Sequence, residues 1–209
     1  MQDSPDSHEI LRAVRSGDPQ AVDALLERHR DRLRRMVRLR LNRRLWGRVD
    51  PSDIVQDALL QAAKNLDGYA QEPKISVFLW LRTLTEQQLL ATHRRHLGTL
   101  KRDARLEIQS PAPGIEASSV SMAQFLIGGD RTPSEEAARA EQCRLLEEAI
   151  ELLEPIDREV LALRYFEQLS NSETAQLLSI GETAASQRFL RALARLTSKM
   201  RELGIVADA

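Results

Sequence analysis

The sequence has few of the residues that build disulfides, metal sites or membrane spans. Cys143 is its only cysteine, which excludes an internal disulfide and argues against a cysteine-based zinc site. No apolar run approaches the roughly 20 residues that a membrane-spanning helix needs. The N-terminal MQDSPDSHEI lacks the basic-then-apolar pattern of a signal peptide. We therefore expect a cytoplasmic protein.

Patterns that would predict an enzyme are also missing. The sequence contains no glycine-rich phosphate loop, no paired histidine and cysteine, and no carboxylates at metal-ligand spacing on one element. Aromatic residues make up only 4% of the chain, which argues against a large β-sandwich core. We therefore expect a binding protein rather than an enzyme, with no cofactor and no metal ion.

The residues that are abundant favour helices. Leu, Ala, Arg and Glu dominate, and 209 residues leave room for one medium domain or two small ones. The formal net charge is only -1, but arginines crowd residues 28–48 and acidic residues crowd 135–159. A near-neutral total therefore hides a basic side that would suit nucleic acid.

The clearest pattern lies between residues 169 and 200, LSNSETAQLLSIGETAASQRFLRALARLTSKM. We predict a short helix that begins near Ser172 and a sharp turn at Gly181, where glycine gives the backbone freedom. Apolar residues of the first helix are Ala175, Leu177 and Leu178. A longer helix follows, with apolar residues at steps of three and four. This stripe consists of Ala185, Phe189, Ala192, Leu193, Leu196 and Met200.

This layout is typical of a helix-turn-helix, whose second helix enters the major groove of DNA. A plain two-helix corner of an all-α protein has a similar pattern, so the layout alone does not decide. No acidic residue occurs between Thr183 and Arg201, and Ser, Gln and Arg side chains can hydrogen-bond base edges. We therefore favour DNA binding, with candidate contacts at Thr183, Ser186, Gln187, Arg188, Arg191, Arg195 and Lys199.

The first half of the chain predicts three further helices, of which the first runs from Pro19 to Trp46 with arginines on its polar faces. Three interpretations of these arginines stay open: a surface for nucleic acid or an acidic partner, a membrane-surface helix, and a solvated helix. The membrane interpretation is the weakest because aromatic anchors are missing. His29 lies on the apolar edge without a second ligand nearby, which favours packing.

The second predicted helix starts at Asp50-Pro51-Ser52-Asp53 and breaks at Asp67-Gly68. Physics alone explains Asp53 and Asp57 as solvated acids near the positive end of the helix dipole.

The third predicted helix covers residues 75–107 and turns from apolar to polar and basic. A ring for stacking and charge for phosphates are what DNA contact needs, although a solvated helix end has the same charges. The candidate residues are Trp80, Gln87, Gln88, Thr92, Arg94 and Arg95.

Residues 109–133 are rich in Ser, Pro, Gly and Ala, which predicts a linker between two helical domains. The apolar patch at residues 122–127 is unusual for a spacer, and we expect it to dock on a domain or a partner. Beyond the linker, a helix should stop at Glu154-Pro155, because proline disfavours helix at the preceding residue. Another helix should run from Pro155 to Phe166.

Taken in order, these segments resemble a bacterial sigma factor of the extracytoplasmic-function (ECF) type, in the sigma-70 family. The run Asp53-Ile54-Val55-Gln56-Asp57 resembles the family's acidic DxxQD/E helix start, which docks on a coiled coil of the largest polymerase subunit. The resemblance implies that polymerase is bound by Asp53, Ile54, Gln56 and Asp57.

The third helix resembles the family's WLxxIaxN helix, which opens the −10 promoter element and holds a flipped base. Trp80-Leu81 matches its start, and Gln87 stands in the Asn position. Residues 153–170 resemble the family's L-P-x-x-x-R-E-V run, with Glu154 inserted before Pro155. The last helix resembles the recognition helix at Arg188, Arg191 and Ala192, and departs from it at Thr183, Ala184 and Ser186.

The resemblance implies an all-α protein with two small helical domains. A sigma-2-like bundle at residues 8–102 would bind core polymerase and melt the −10 element, and a sigma-4-like helix-turn-helix domain at 135–203 would read the −35 element. Residues 103–134 would link them. The implied partners are core RNA polymerase, promoter DNA and, as a candidate, an anti-sigma factor, with a monomer as the free state. The alternative is a stand-alone, dimeric helix-turn-helix regulator that binds a pseudo-palindrome.

Overall fold

The computed structural model describes residues 19–97, 115–127 and 136–206. Its contacts divide the chain into two compact units, Met1–Gln109 and Ser110–Ala209. All the regular secondary structure in the described residues is helical, which confirms the all-α prediction. In the same three stretches, no helix is long and apolar enough to cross a membrane.

Within residues 19–97 the first unit contains three α-helices, and α2 packs against both α1 and α3. The helices are α1 (Pro19–Arg40), α2 (Pro51–Gln71) and α3 (Val77–Leu97). Apolar side chains at helical spacing meet between them, and burial of each large one contributes about 1.5–3 kcal/mol. The most deeply buried are Leu25, Leu33, Met36, Leu66, Phe78, Leu81 and Leu89.

The first predicted helix is shorter than the sequence suggests. α1 ends at Arg40 instead of Trp46, and a separate 3-10 turn follows at Arg43–Leu45. The side chain of Asn42 accepts a hydrogen bond from the backbone N–H of Arg44 at 3.0 Å. Asparagine side chains compete with helical backbone hydrogen bonds in this way, and Asn42 therefore ends α1.

The second predicted helix begins where expected, with Asp50 accepting from the Ser52 backbone N–H at 2.7 Å. The predicted break at Asp67-Gly68 is wrong, because α2 continues to Gln71. The ring of Tyr69 stacks on Trp80 with a centroid distance of 4.4 Å, and its hydroxyl donates to the Ile75 carbonyl at 2.8 Å. These tertiary contacts outweigh the roughly 1 kcal/mol that a helical glycine costs.

α3 ends within the described residues at Leu97, and the remainder of the third predicted helix, residues 98–107, lies outside them.

The second unit contains five helices in its described residues, with a short π-helical stretch between two of them. α4 and α8 each pack on α5, and α6 and α7 each pack on α8. The helices are α4 (Ser119–Ile127), α5 (Glu136–Glu151), α6 (Pro155–Leu161), α7 (Asn171–Leu177) and α8 (Glu182–Glu202).

The apolar patch of the predicted linker forms α4, which packs against α5 inside the second unit. Met122 and Ala123 are fully buried, and the Ser119 hydroxyl donates to Glu151 at 3.0 Å. The expectation that the apolar patch docks on a domain is therefore confirmed, because this segment joins the core of the second unit.

The break at Pro155 is confirmed: α5 ends at Glu151 and α6 begins at Pro155. The predicted continuation to Phe166 is helical but widens into a π-helical stretch at Ala162–Phe166. The widened stretch ends when the Glu167 N–H bonds to the Ala162 carbonyl at 2.9 Å, and Gln168 then takes a positive φ of 56°.

Candidate nucleic-acid and partner interfaces

The acidic start of α2 lies on the surface. Asp53, Gln56 and Asp57 are exposed, and their i, i+3, i+4 spacing places them on one helix face. Ile54 is only 3% exposed and belongs to the core, so it supports this face from below. Hydrogen bonding from the Ser52 backbone N–H lowers the pKa of Asp50, which keeps the start of the helix negatively charged.

The sequence did not reveal an exposed leucine beside these acids. Leu60 is 55% exposed, although it lies in the middle of a helix. It lines an open groove of about 610 Å³ between α1 and α2, together with Asp23, Glu27 and Gln56. The only sequence feature that could have predicted this exposed leucine is its position on a helix face whose other residues are polar. Arg30 also lines the groove and pairs with Glu27, so the apolar groove has a rim of mixed charge, a surface that suits a protein helix with charged flanks.

The predicted −10 residues occupy different environments along α3. Trp80 is half-buried and lies flat on Tyr69, with 12° between the ring planes. Gln87 is exposed, whereas the Gln88 amide donates to Gln61 at 2.7 Å. The Gln88 contact fixes that side chain against α2 and leaves Gln87 on the open surface.

The basic end of α3 separates into exposed and buried positions. Arg94 and Arg95 are exposed, but Thr92 is only 8% exposed. The side chain of Thr92 therefore packs within the first unit and is not accessible for the predicted DNA contact. Gln87 and Arg94 are seven residues apart, so they lie two turns apart on one face.

The predicted recognition helix α8 is held by its small residues. Among its side chains only Ala185 and Ala192 are buried, and Phe189 lies beneath the Arg164 guanidinium at 5.3 Å. The outer face carries most of the predicted −35 contacts. Exposed on it are Thr183, Ser186, Gln187 and Arg191, with Arg188 half-buried beside them.

Two of the predicted phosphate contacts of α8 are engaged within the protein. Arg195 donates to the Asp157 carboxylate at 2.5 Å and lies 3.8 Å from Glu154. The Asp157 side chain is 5% exposed, so this pair ties α8 to the first turn of α6. Lys199 lies 2.7 Å from Glu202 on the same helix. No local sequence pattern predicts the Arg195–Asp157 pair, because its partners are 38 residues apart.

The turn between α7 and α8 differs in detail from the prediction. α7 is capped by Ser170 rather than Ser172, through a capping box in which Ser170 and Glu173 bond each other's backbone. The left-handed residue of the turn is Ser179, with φ of 54°, while Gly181 has an ordinary φ of −71° and caps α8. The Asn171 amide donates to the Glu182 carbonyl at 2.8 Å and fixes the angle between the helices.

The described residues contain no group of three or more His, Cys, Asp or Glu that could hold a metal ion. What they present are surfaces rather than an enclosed reaction site: an acidic face with a groove on α2, a polar face on α3 and a polar face on α8.

Comparisons with known proteins place these surfaces in one family. The chain is 29% identical over 182 residues to the RNA polymerase sigma-E factor of Streptomyces avermitilis, with 85% of this chain and 87% of the relative covered. It is 22% identical to the ECF RNA polymerase sigma factor SigW of Bacillus subtilis, with 92% and 96% covered.

A solved structure of CnrH, in complex with the cytosolic domain of CnrY, matches the fold with a TM-score of 0.53. The identity is 21%, and the match covers 92% of this chain and 96% of that chain. The family model described as "ECF sigma factor" matches residues 5–202, which include α2, α3 and α8 with all the surfaces described above. A match of that extent leaves no unit of the chain outside it, and the chain therefore belongs to the ECF sigma factor family.

Proposed function

We propose that the chain directs core RNA polymerase to promoters and opens the DNA at the −10 element. The observation that carries this proposal is the family match over residues 5–202, which includes both candidate DNA-binding helices. The alternative of a stand-alone dimeric regulator has no support, since the relatives are named RNA polymerase sigma factors.

We assign core binding to the exposed acidic face of α2. Asp53, Gln56 and Asp57 would contact a basic or amide-rich helix of polymerase, and Leu60 would enter its apolar side. Charged rims fix the register of such a contact, while the apolar anchor contributes most of the binding free energy. Ile54 contributes by packing under this face.

We assign capture of the opened −10 strand to α3. Gln87 offers an amide to an unpaired base, and Arg94 offers a guanidinium to the backbone on the same helix face. Trp80 adds a ring already stacked on Tyr69, and Gln88 is fixed by its bond to Gln61. Holding an extruded base requires a preformed pocket and backbone charge, and both are binding tasks.

We assign reading of the −35 element to α8. Ser186, Gln187 and Arg191 are exposed on the outer face, and Arg188 lies half-buried beside them. Arginine hydrogen-bonds guanine in the major groove through two donors, which makes Arg188 and Arg191 the expected source of discrimination. Lys199 and Arg195 would contribute charge near the backbone while they pair with Glu202 and Asp157.

The two binding regions would act together as one reader of the promoter. In this proposal the first domain covers residues 8–102, the linker 103–134, and the second domain 135–203, with α4 packed in the second unit. Two modest sites on one chain gain affinity for DNA elements at a matched spacing. The chain would act in the cytoplasm as a monomer and catalyse no reaction, and an anti-sigma factor would be its regulatory partner.

Co-elution with bacterial core RNA polymerase on a size-exclusion column tests the core contact. We expect one-to-one co-elution of the full chain, lost on Asp57→Lys. Asp67→Lys is the matched control, because Asp67 is exposed on the same helix about 15 Å further along. Equal co-elution of both variants would remove the acidic face from the proposal, and no co-elution of the unmodified chain would overturn the function.

A further inference from the structure

The 3-10 turn after α1 presents two arginines on a fixed support. Arg43 and Arg44 are exposed, while the next residue, Leu45, is only 2% exposed and anchors the turn in the core. The side chain of Asn42 caps the start of the turn, and the Trp46 indole N–H donates to the Leu41 carbonyl at 3.2 Å. The backbone of the turn is therefore held at both ends.

A long-range hydrogen bond attaches this turn to the basic end of α3. The Asn42 backbone N–H donates to Nε2 of His93 at 3.2 Å, across 51 residues of sequence. Burial lowers the pKa of His93, so the ring is neutral near pH 7 and its Nε2 can accept. The turn consequently lies next to the exposed arginines that follow His93 on α3.

We define the basic ridge as the four exposed arginines that this contact brings together: Arg43, Arg44, Arg94 and Arg95. In residues 19–97, 115–127 and 136–206, no carboxylate forms an ion pair with any of them. Two arginines of α1 differ, since Arg30 lies 2.6 Å from Glu27 and Arg34 lies 3.8 Å from Asp31. Four clustered charges without counter-charges raise the local potential and favour a polyanion.

We propose that the basic ridge binds backbone phosphates of DNA, with Arg43 and Arg44 as phosphate contacts beside the strand that α3 captures. The proposal rests on the proposed function and extends the DNA surface from one helix to a second segment of the chain. It also assigns a function to two arginines of the run at residues 28–48, for which polymerase binding and strand capture assign none.

Geometry favours DNA over a membrane or an acidic protein as the ligand. Arg94 lies two helical turns, about 10.5 Å, from Gln87, which corresponds to roughly three steps of the 3.4 Å axial rise of stacked DNA. A strand whose base meets Gln87 would therefore carry its next phosphates onto the ridge. Arginine suits this role because its planar guanidinium donates two hydrogen bonds to one phosphate.

Salt-dependent DNA binding of the full chain tests the ridge. The probes are a fluorescent 30-base-pair duplex and a single strand of the same length, and the readout is anisotropy over a series of NaCl concentrations. Each lost phosphate contact lowers the slope of log K against log salt by about 0.9 on duplex and about 0.7 on single strand. We therefore expect Arg43→Gln/Arg44→Gln to lower the slope by about 1.8 or about 1.4 on the DNA form that the ridge binds.

On duplex, that difference makes the variant's relative loss of affinity about 12-fold larger at 50 mM than at 200 mM salt. Arg28→Gln/Lys64→Gln is the charge-matched control, because both residues are exposed in the same unit but lie outside the ridge. We expect the control to keep the slope of the unmodified chain. Whichever probe loses slope identifies the DNA form that the ridge contacts.

Three results would overturn the proposal: no DNA binding by the unmodified chain at low salt, equal slopes for the ridge variant and the unmodified chain, or equal losses in the ridge and control variants. Loss of binding to phosphatidylserine vesicles with unchanged DNA binding would assign the ridge to membranes instead. Co-elution with core polymerase, measured on the same variants, keeps a failure of the ridge separate from a failure of the sigma-factor function.

Discussion

Two helices of equal length, α3 and α8, are the candidate DNA-binding helices, and they are built in opposite ways. α3 buries side chains around much of its circumference, with Phe78, Leu81 and Leu89 at 1% exposure or less. α8 buries only Ala185 and Ala192 and leaves most of its surface open. α3 is therefore part of the core of its unit, whereas α8 lies on the surface of its unit's core.

The difference matches the two tasks that we propose for these helices. Opened DNA offers a flexible strand, so the helix that holds an unpaired base must be rigid and supply fixed partners at an exposed edge. Duplex DNA offers a groove about 12 Å wide, so the helix that reads it must project most of its surface. Rigidity on α3 comes from packing on α2, and on α8 from the Arg195–Asp157 pair and the Asn171 bond.

The largest expected effect comes from truncating one leucine on each helix, which tests this contrast directly. Leu89 is fully buried, so Leu89→Ala should lower the free energy of unfolding by about 2–5 kcal/mol. Leu190 on α8 is 62% exposed, so Leu190→Ala should change it by less than about 0.5 kcal/mol. Urea denaturation measures both, and similar losses for the two variants would break the comparison.

A smaller effect should follow from the ion pair that holds α8. Arg195→Ala leaves the buried Asp157 carboxylate without its guanidinium partner, so the urea midpoint of the second unit should fall. Arg191→Ala is the control, because Arg191 is exposed one turn earlier. Combining Arg195→Ala with Asp157→Asn should restore part of the loss. A midpoint unchanged by Arg195→Ala would mean that the pair does not fix the helix.

The smallest expected effect is a pH dependence near α3. The pKa of His93 is lowered by burial, so the folded state binds fewer protons than the unfolded state, and this contribution to stability is present above about pH 6.5 and lost as pH falls below it. His93→Gln should reduce the drop in urea midpoint between pH 7.5 and 5.5. His96→Gln, on the exposed end of the same helix, is the matched control, and equal behaviour of the two variants would contradict the role of His93.

Local patterns predicted much of the fold because the relevant physics is local. The cap at Asp50, the stop before Pro155 and the stripe that includes Ala185 and Ala192 all depend on neighbours in sequence. The Ser170–Glu173 capping box also has the required spacing, but Ser172 is an equally suitable residue type for a cap, so the predicted helix start lies two residues late.

The failures depend on residues far apart in sequence. α2 runs through Gly68 because Tyr69 stacks on Trp80, and the turn at Arg43 is held by His93. The burial of Thr92 and the engagement of Arg195 likewise follow from packing that no sequence spacing encodes. The fold class and the chemistry of the surfaces could therefore be predicted from the sequence. Whether a given side chain is exposed and free to bind a partner could not.

Selection of promoters from random DNA tests the central claim most directly. Core polymerase with the chain would transcribe a library carrying a randomised region upstream of a fixed transcript, and the enriched sequences would be read for each variant. We expect two separated elements, with Arg188→Ala relaxing only the upstream one and Gln87→Ala only the downstream one; at the upstream element the loss should be about 1–3 kcal/mol of discrimination. A single palindromic element, or both variants altering the same element, would contradict the division of labour between α8 and α3.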